Sequence, residues 1–307
     1  MSRGFIYAAT GDLYVTLARR SARALRRVHP DAKIDLFTDQ PLEDQVFNRV
    51  WQLEHVSRRP KIEALRRSRF QRSVYLDADT ALVAPLDDVF DLLEHFDIAM
   101  SSEYRRNDLR NTRQVPGAEV PPCFPQLNSG VIAMRQSAMA RALLADWHDW
   151  VFNRDQLYDQ PSLRALLFRS QLRLHVLPPE CNVMFFSQFM KIKDGLSAPR
   201  LIHQPRLHKN PPGDPMLPLE VKDLLAPAQL EQLALLLSQD KTLARYIDVL
   251  AGRPGSLLPH GTVPNPNETI GGRKAGALGA RSFGTHRSDL RKRLLRKLKR
   301  VLGLQAL

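Results

Sequence analysis

The sequence predicts an α/β protein with an open sheet that binds its ligand at the carboxyl ends of the strands. Three observations lead there. The chain opens on a strand–helix–strand pattern, the start of a nucleotide-binding unit. The run Ser73-Val74-Tyr75-Leu76 then leads straight into two carboxylates one residue apart, Asp77 and Asp79. Strand and helix patterns keep alternating well past that point.

The elements follow in order. Gly4-Phe5-Ile6-Tyr7-Ala8-Ala9 is apolar throughout and reads as the first strand. After Thr10-Gly11-Asp12, residues Leu13, Leu17, Ala18, Ala22 and Leu25 recur on one helical face. That helix should stop near His29-Pro30, because a residue before proline is pushed out of the helical region. Residues 33–39 form a second strand that ends on polar side chains. There is no Gly-x-Gly-x-x-Gly and no Walker loop, which disfavours a dinucleotide fold or a phosphate-loop enzyme. Residues 46–56 add a strand, and 61–70 a helix with Ile62, Leu65, Arg66 and Arg69 at helical offsets; Arg66 and Arg69 read as solvent-facing or packing residues. The strand 74–76 ends at Asp77. A helix at 86–95 and a strand at 97–100 come next.

Residues 104–127 are irregular, charged and carry Pro116, Pro121, Pro122 and Pro125. A loop of that length inside a compact domain is usually functional or mobile. Leu127-Asn128-Ser129-Gly130-Val131-Ile132-Ala133-Met134 is the next strand. Helices are expected at 137–151 and 159–168, the second opened by Asp159-Gln160-Pro161-Ser162 with proline near its first turn. Short strands are expected at 172–177, 181–186 and 200–203. Residues 204–218 form a proline-rich loop, and 227–250 one amphipathic helix. Eight of the fifteen glycines fall within 252–284, so 251–285 reads as a flexible linker. In 286–307, Leu290, Leu294, Leu298, Val301 and Leu302 form one apolar helical stripe with cations on the other face. The predicted organisation is one α/β domain over 1–250, that linker, and a basic C-terminal helix over 286–307.

Composition is that of an ordinary globular protein, with 43% hydrophobic and 25% charged residues. The two cysteines, Cys123 and Cys181, lie far apart and show no zinc spacing or disulfide framework, which fits a reducing compartment. No signal peptide and no membrane-spanning run is visible, so a cytoplasmic location is expected, peripheral on the inner face of the membrane. The formal charge is +13, and eight Lys or Arg against one acid lie between His286 and Leu307. Nucleic acid is excluded as a partner, because that helix has no aromatic residue to stack on bases. A cationic amphipathic helix suits an anionic membrane surface instead.

Two acids with one spacer at a strand end can hold a hard divalent cation that also grips phosphate oxygens. Around that pair stand Tyr7-Ala8-Ala9-Thr10-Gly11-Asp12-Leu13-Tyr14, Lys61, Tyr75-Leu76-Asp77-Ala78-Asp79-Thr80, Leu127-Asn128-Ser129-Gly130-Val131, Asp159-Gln160, Pro179-Glu180-Cys181-Asn182, and Ile202-His203 followed by His208-Lys209. In their order and spacing these segments resemble nucleotide-sugar glycosyltransferases of the GT-A fold, closest to glycosyltransferase family 8 and its galactosyltransferase-like relatives. The resemblance covers roughly residues 4–210. It implies a mixed, mostly parallel central sheet flanked by helices, here with a C-terminal helical extension.

The resemblance also implies the chemistry. A hexose moves from a nucleotide-diphosphate sugar, a UDP-sugar, to a glycan or glycolipid acceptor, with retention of anomeric configuration. Asp77, Asp79 and His203 are the implied ligands of a divalent metal. An imidazole among them favours Mn²⁺ over Mg²⁺. Ala8 and Thr10 lie at the base-binding turn, where the family commonly has Asp at the position of Thr10, and Tyr14 stacks near the base. Lys61 and Lys209 place positive charge on the diphosphate. Asp77 also contacts the donor. Asn128 and Asp159 hydrogen-bond the sugar, and Gln160 sits beside the reacting carbon, making Asp159 and Gln160 the catalytic pair. Glu103 is a polar candidate on the acceptor side. The alternative is a non-catalytic, membrane-associated nucleotide-sugar-binding protein.

Overall fold

The computed structural model describes residues 2–153, 159–191 and 195–243. The described residues divide into two compact units. One comprises Met1–Phe185 with Arg200–Leu219, and the other Phe186–Pro199 with the described residues from Glu220 on.

The first unit is built on seven strands: β1 (Arg3–Ala9), β2 (Ile34–Thr38), β3 (Arg49–Gln52), β4 (Arg72–Leu76), β6 (Ile98–Ser102), β7 (Leu127–Arg135) and β8 (Leu174–Leu177), with the short β5 (Thr80–Leu82) lying outside their sheet. Their order is β3-β2-β1-β4-β7-β6-β8. Strands β3, β2, β1 and β4 are parallel, β7 is antiparallel to both neighbours, and β6 pairs parallel with β8. This is the mixed, mostly parallel α/β sheet that the resemblance implied.

Strand periodicity explains the two-sided core. Phe5, Tyr7 and Ala9 of β1 join Val15, Leu17, Ala18, Ala22 and Leu25 of helix α1 (Gly11–Val28). Their alternates Ile6 and Ala8 join Ile62 and Leu65 of α2 (Pro60–Arg67) and Leu143, Leu144 and Trp147 of α4 (Ala138–Phe152). Successive strand residues point to opposite faces, and both faces are covered, so β1 reads as a continuous apolar run. Helix α3 (Asp87–Leu92) supplies Val89 and Phe90 to the first cluster, and α5 (Asp159–Arg169) supplies Leu163, Leu166 and Leu167 to the second.

Two strands form a separate ribbon. β5 pairs antiparallel with β9 (Leu201–His203), with Thr80 opposite His203 and Leu82 opposite Leu201. The sequence pattern did not reveal β5, because three residues are too few to show a period. The expected strand over 46–56 is only Arg49–Gln52. The expected strand over 181–186 is instead a 3-10 turn, Pro179–Cys181, followed by a single bridge from Val183 to Ile202. Two prolines, Pro178 and Pro179, favour a turn over a strand there.

In the second unit, α6 (Ser187–Met190) precedes α7 (Pro227–Gln239), which buries Leu230, Leu233, Ala234, Leu236 and Leu237. α7 ends at Gln239 rather than continuing to 250. Asp240 stops it by accepting hydrogen bonds from the Ala198 and Thr242 amides at 2.6 and 2.7 Å. The expected linker at 251–285 and basic helix at 286–307 lie outside the described residues. No described helix is long and apolar enough to cross a membrane.

Candidate active site

The site forms where β4 ends. Asp77 leaves the strand with its amide bonded to the Gly130 carbonyl at 2.8 Å, which aligns it with β7. Thr80 Oγ1 donates to the Asp77 carbonyl at 2.7 Å and closes a turn that aims both carboxylates into the same space. The β5–β9 ribbon then returns the chain. The Gln204 amide donates to the Asp79 carbonyl at 2.9 Å, and His203 comes to lie over the acidic pair. Residues 124 positions apart in the chain are thus joined by backbone pairing rather than by side chains alone.

One ligand atom each from Asp77, Asp79 and His203 lie within 4.8 Å of one another. His203 Nε2 is 3.3 Å from Asp79 Oδ1 and 4.0 Å from Asp77 Oδ2. The imidazole is oriented from behind: its Nδ1 lies 3.0 Å from Asn182 Oδ1, and Asn182 Nδ2 donates to Asn128 Oδ1 at 2.8 Å. Such outer partners hold a metal-binding histidine in one ring orientation. Gly130 makes the close approach possible. A Cβ at that position would sit 2.3 Å from His203 Cε1.

The electrostatics are strongly polarised. Burial by itself would raise the Asp79 carboxyl, but His203 and then His208 outweigh it and hold Asp79 well below the usual carboxylate range. Burial disfavours a charged His203, yet Asp79 and then Asp77 outweigh it, so His203 is raised. Asp79 Oδ2 is buried and has no aligned hydrogen-bond donor, although His208 Nε2 lies 3.1 Å away. A buried carboxylate oxygen normally has a partner. Two carboxylates and an imidazole within reach of one point, with that Asp79 oxygen lacking an aligned donor, fit a divalent cation.

Lys61 is the second positive element. Its Nζ lies 2.9 Å from Asp77 Oδ1 and donates to the Ser129 carbonyl at 3.1 Å and Oγ at 3.2 Å. Tyr75 donates its hydroxyl to Asp77 Oδ1 at 2.6 Å. Burial first, and the charge of Asp77 second, push the Tyr75 phenol well above its ordinary value, so it remains a donor.

The remaining polar residues form one network. Glu103 Oε1 accepts from Asn128 Nδ2 at 2.7 Å and from Gln160 Nε2 at 2.9 Å, and Gln160 also donates to the Leu127 carbonyl at 2.8 Å. Burial raises the Glu103 carboxyl, and the Asn128 hydrogen bond only partly offsets that. Asp159 begins α5. Its Oδ2 accepts from Ser129 Oγ at 3.3 Å, its Oδ1 lies 3.0 Å from Arg59 Nε, and its carbonyl accepts from Trp147 Nε1 at 2.9 Å. Asp77, Asp79, His203, Lys61, Asn128, Asp159 and Gln160 therefore meet in one connected cluster.

The residues expected at the base and Lys209, expected at the diphosphate, are placed less tightly. Ala8 is buried near the end of β1. Thr10 caps α1 without a side-chain hydrogen bond; Asp39, at the end of β2, takes that role by accepting from the Gly11 amide at 3.0 Å. Tyr14 is exposed and meets the His208 ring edge to face, with centroids 4.9 Å apart. Lys209 is exposed on the turn Pro205–Lys209, and among the described residues no hydrogen bond or ion pair joins it to the cluster. Its neighbour His208 is the residue that reaches Asp79. Arg69 packs as expected, pairing with buried Asp35 at 2.7 Å.

Sequence reading gave no role to Arg59, Ser129, His208 or Asn182 individually. Ser129, Asn182 and His208 lay inside the segments that carry the resemblance, so the signal was present. Arg59 carried no periodic or spacing signal.

A sheet that switches direction at β7, with Asp-x-Asp at the end of its central strand and a late histidine folded over it, defines a glycosyltransferase of the GT-A fold. A sequence profile of the nucleotide-diphospho-sugar transferases matches residues 15–205, and the chain belongs to that family. Among solved structures it is similar to the galactosyltransferase LgtC in complex with donor and acceptor sugar analogs. The identity is 13%, the TM-score 0.51, and 79% of this chain and 99% of that one are covered. An active-site mutant of LgtC matches with 14% identity, a TM-score of 0.53, and coverage of 78% and 99%. The glycosyltransferase GlyE of Streptococcus pneumoniae TIGR4 matches with 18% identity, a TM-score of 0.46, and coverage of 66% and 54%. A search of curated proteins found none with significant sequence similarity.

Proposed function

We propose that this glycosyltransferase moves a hexose from a nucleotide-diphosphate sugar, a UDP-sugar, to a glycan or lipid-linked acceptor, with retention. The observation that carries the reading is the convergence of Asp77, Asp79 and His203 on one point beside Lys61. Asp77, Asp79 and His203 would hold a divalent ion, Mn²⁺ or Mg²⁺, which supplies Lewis-acid stabilisation of the charge that develops on the departing diphosphate. Lys61 adds a fixed cation on the same side and, tied to Ser129, does not have to reorganise as charge develops. Asp77, with a quarter of its side chain open to solvent, is the donor-facing ligand, whereas Asp79 is sealed behind it.

Asn128 and Asp159 are the hydrogen-bonding partners for sugar hydroxyls, and Gln160 lies beside the reacting carbon. Glu103 positions two of these by accepting from Asn128 and Gln160 with one oxygen. Ala8, Thr10 and Tyr14 supply the base side, and Lys209 reaches the diphosphate when donor is bound. An anionic membrane surface, met by the basic residues of 286–307, would present a lipid-linked acceptor. The protein then works at the cytoplasmic face of a membrane.

The test is donor hydrolysis with and without added Mn²⁺, in wild type and in Asp79→Ala. We expect metal-dependent turnover that Asp79→Ala abolishes; undiminished turnover in the variant would sink the assignment. A thermal-shift panel of nucleotide sugars with Mn²⁺ identifies base and sugar, because ligand binding to the folded state raises the melting point according to affinity.

A further inference from the structure

Beyond the cluster at the strand ends, a cavity of about 620 Å³ lies in the first unit, lined by the loop before α2, by α2 and by α4. That volume is within the range of small-ligand sites. Its lining carries four arginines, Arg59, Arg66, Arg67 and Arg141, and two histidines, His55 and His148. Two acids, Glu54 and Glu63, also face it, but both are already engaged. Glu63 accepts from the Glu54 and His55 amides at 2.7 and 3.2 Å and pairs with Arg67, and Glu54 lies 3.5 Å from the same guanidinium. Arg59 is held by Asp159 at 3.0 Å.

That leaves Arg66 and Arg141. Both are exposed, and neither has a carboxylate partner among the described residues. His148 senses the imbalance. Burial first, then the positive charge of Arg66 and His55, holds its imidazole below the ordinary value, and Asp149 and Glu63 do not compensate. A concave surface with an excess of positive charge attracts and concentrates anions. Two guanidinium forks match the geometry of phosphate oxygens, which a lysine pair would not do as well. Val56, Ala145 and Phe152 provide an apolar wall for the body of a ligand.

We propose that this cavity is a binding site for a phosphate-bearing anion, gripped by Arg66 and Arg141 and reached at its edge by Arg59. The site is separate from the Asp77–Asp79–His203 cluster, and the proposal stands whether or not that cluster turns over a donor. Arg59 gives it a consequence. A bound anion shares the guanidinium that now contacts Asp159, so occupancy is felt one side chain away from the cluster.

The test is equilibrium titration of the full-length protein with inorganic phosphate and, in parallel, glycerol 3-phosphate, in metal-free buffer with chelator. Wild type is expected to bind one equivalent. Arg66→Gln with Arg141→Gln together should weaken binding at least about tenfold, the loss of two charge-assisted hydrogen-bonding groups. Ala145→Glu, which keeps both arginines and adds a carboxylate to the cavity lining one helical turn from Arg141, should weaken it similarly. Tighter binding of the ester identifies a phosphorylated ligand, and equal or tighter binding of phosphate identifies the free ion. No saturable binding by wild type, or equal binding by both variants, overturns the proposal. Far-ultraviolet circular dichroism of the variants establishes that they are folded.

Discussion

Gly130→Ala should separate metal affinity from general stability. Gly130 belongs to β7, and its side-chain position faces the His203 ring. A Cβ there would lie 2.3 Å from Cε1, 2.7 Å from Nδ1 and 2.9 Å from Asn128 Oδ1. Ordinary contact begins at 3.4 Å, so the ring must retreat by about 1 Å. It cannot swing freely, because Nδ1 is held by Asn182 and the β9 backbone is paired with β5. Overpacking of this kind costs roughly 1–3 kcal/mol. A displaced ligand and a disturbed Asn182–Asn128 support should lower metal affinity by about 10- to 100-fold. Mn²⁺ dependence of donor hydrolysis and of the melting temperature measures both. Gly4→Ala is the control: its Cβ would lie 2.3 Å from the ring of Phe70, which is not a proposed metal ligand. Gly4→Ala should lose stability while keeping the wild-type Mn²⁺ midpoint. If Gly130→Ala also keeps that midpoint, His203 is not a ligand, and the three-residue centre is wrong.

Two further outcomes follow from the structure and the sequence. Burial opposes ionisation of Asp97, but Arg173 and then Arg135 outweigh it, and its carboxyl is lowered to about 2. Because the folded value lies below the ordinary 3.8, the contribution is complete above about pH 4 and lost as pH falls towards 2. Asp97→Asn should therefore cost roughly 2 kcal/mol at neutral pH and progressively less below pH 4 in denaturant titrations; a deficit independent of pH contradicts the ion-pair account. For the basic terminus, the full chain should co-sediment with anionic liposomes, while a chain ending at Gly252 should not. The expected gain is about 1 kcal/mol for each Lys or Arg near the surface, reduced by salt, and equal sedimentation removes the membrane reading.

The parts of the fold that were legible in the sequence are those with long periods. α1 shows an apolar stripe over eighteen residues, and its end at His29 before Pro30 follows from backbone sterics. Residues 5–9 of β1, 74–76 of β4 and 131–134 of β7 are buried and appear as continuous apolar runs. β5 has three residues and owes its conformation to β9, so no local pattern encodes it. The apolar residues near Val183 suggested a strand, but only one bridge forms, because the preceding prolines commit the backbone to a turn.

The same distinction holds within the site. Asp77 and Asp79 stand out because a strand delivers them, and Lys61 because the resemblance places a basic residue there at the opening of a helix. What sequence could not supply is the linkage between them. Ser129 joins Lys61 to Asp159, Glu103 joins Asn128 to Gln160, and Asn182 joins Asn128 to His203. Each linker is an ordinary polar residue whose partner lies 21 to 68 positions away. Asn128 sits at the crossing of two of these links: its amide nitrogen donates to Glu103 and its oxygen accepts from Asn182 and the Gly130 amide. The proposed metal-ligand side and the proposed sugar side of the pocket therefore share one amide. A change that rotates Asn128 must disturb both, so metal dependence and donor-sugar selectivity are expected to shift together rather than independently.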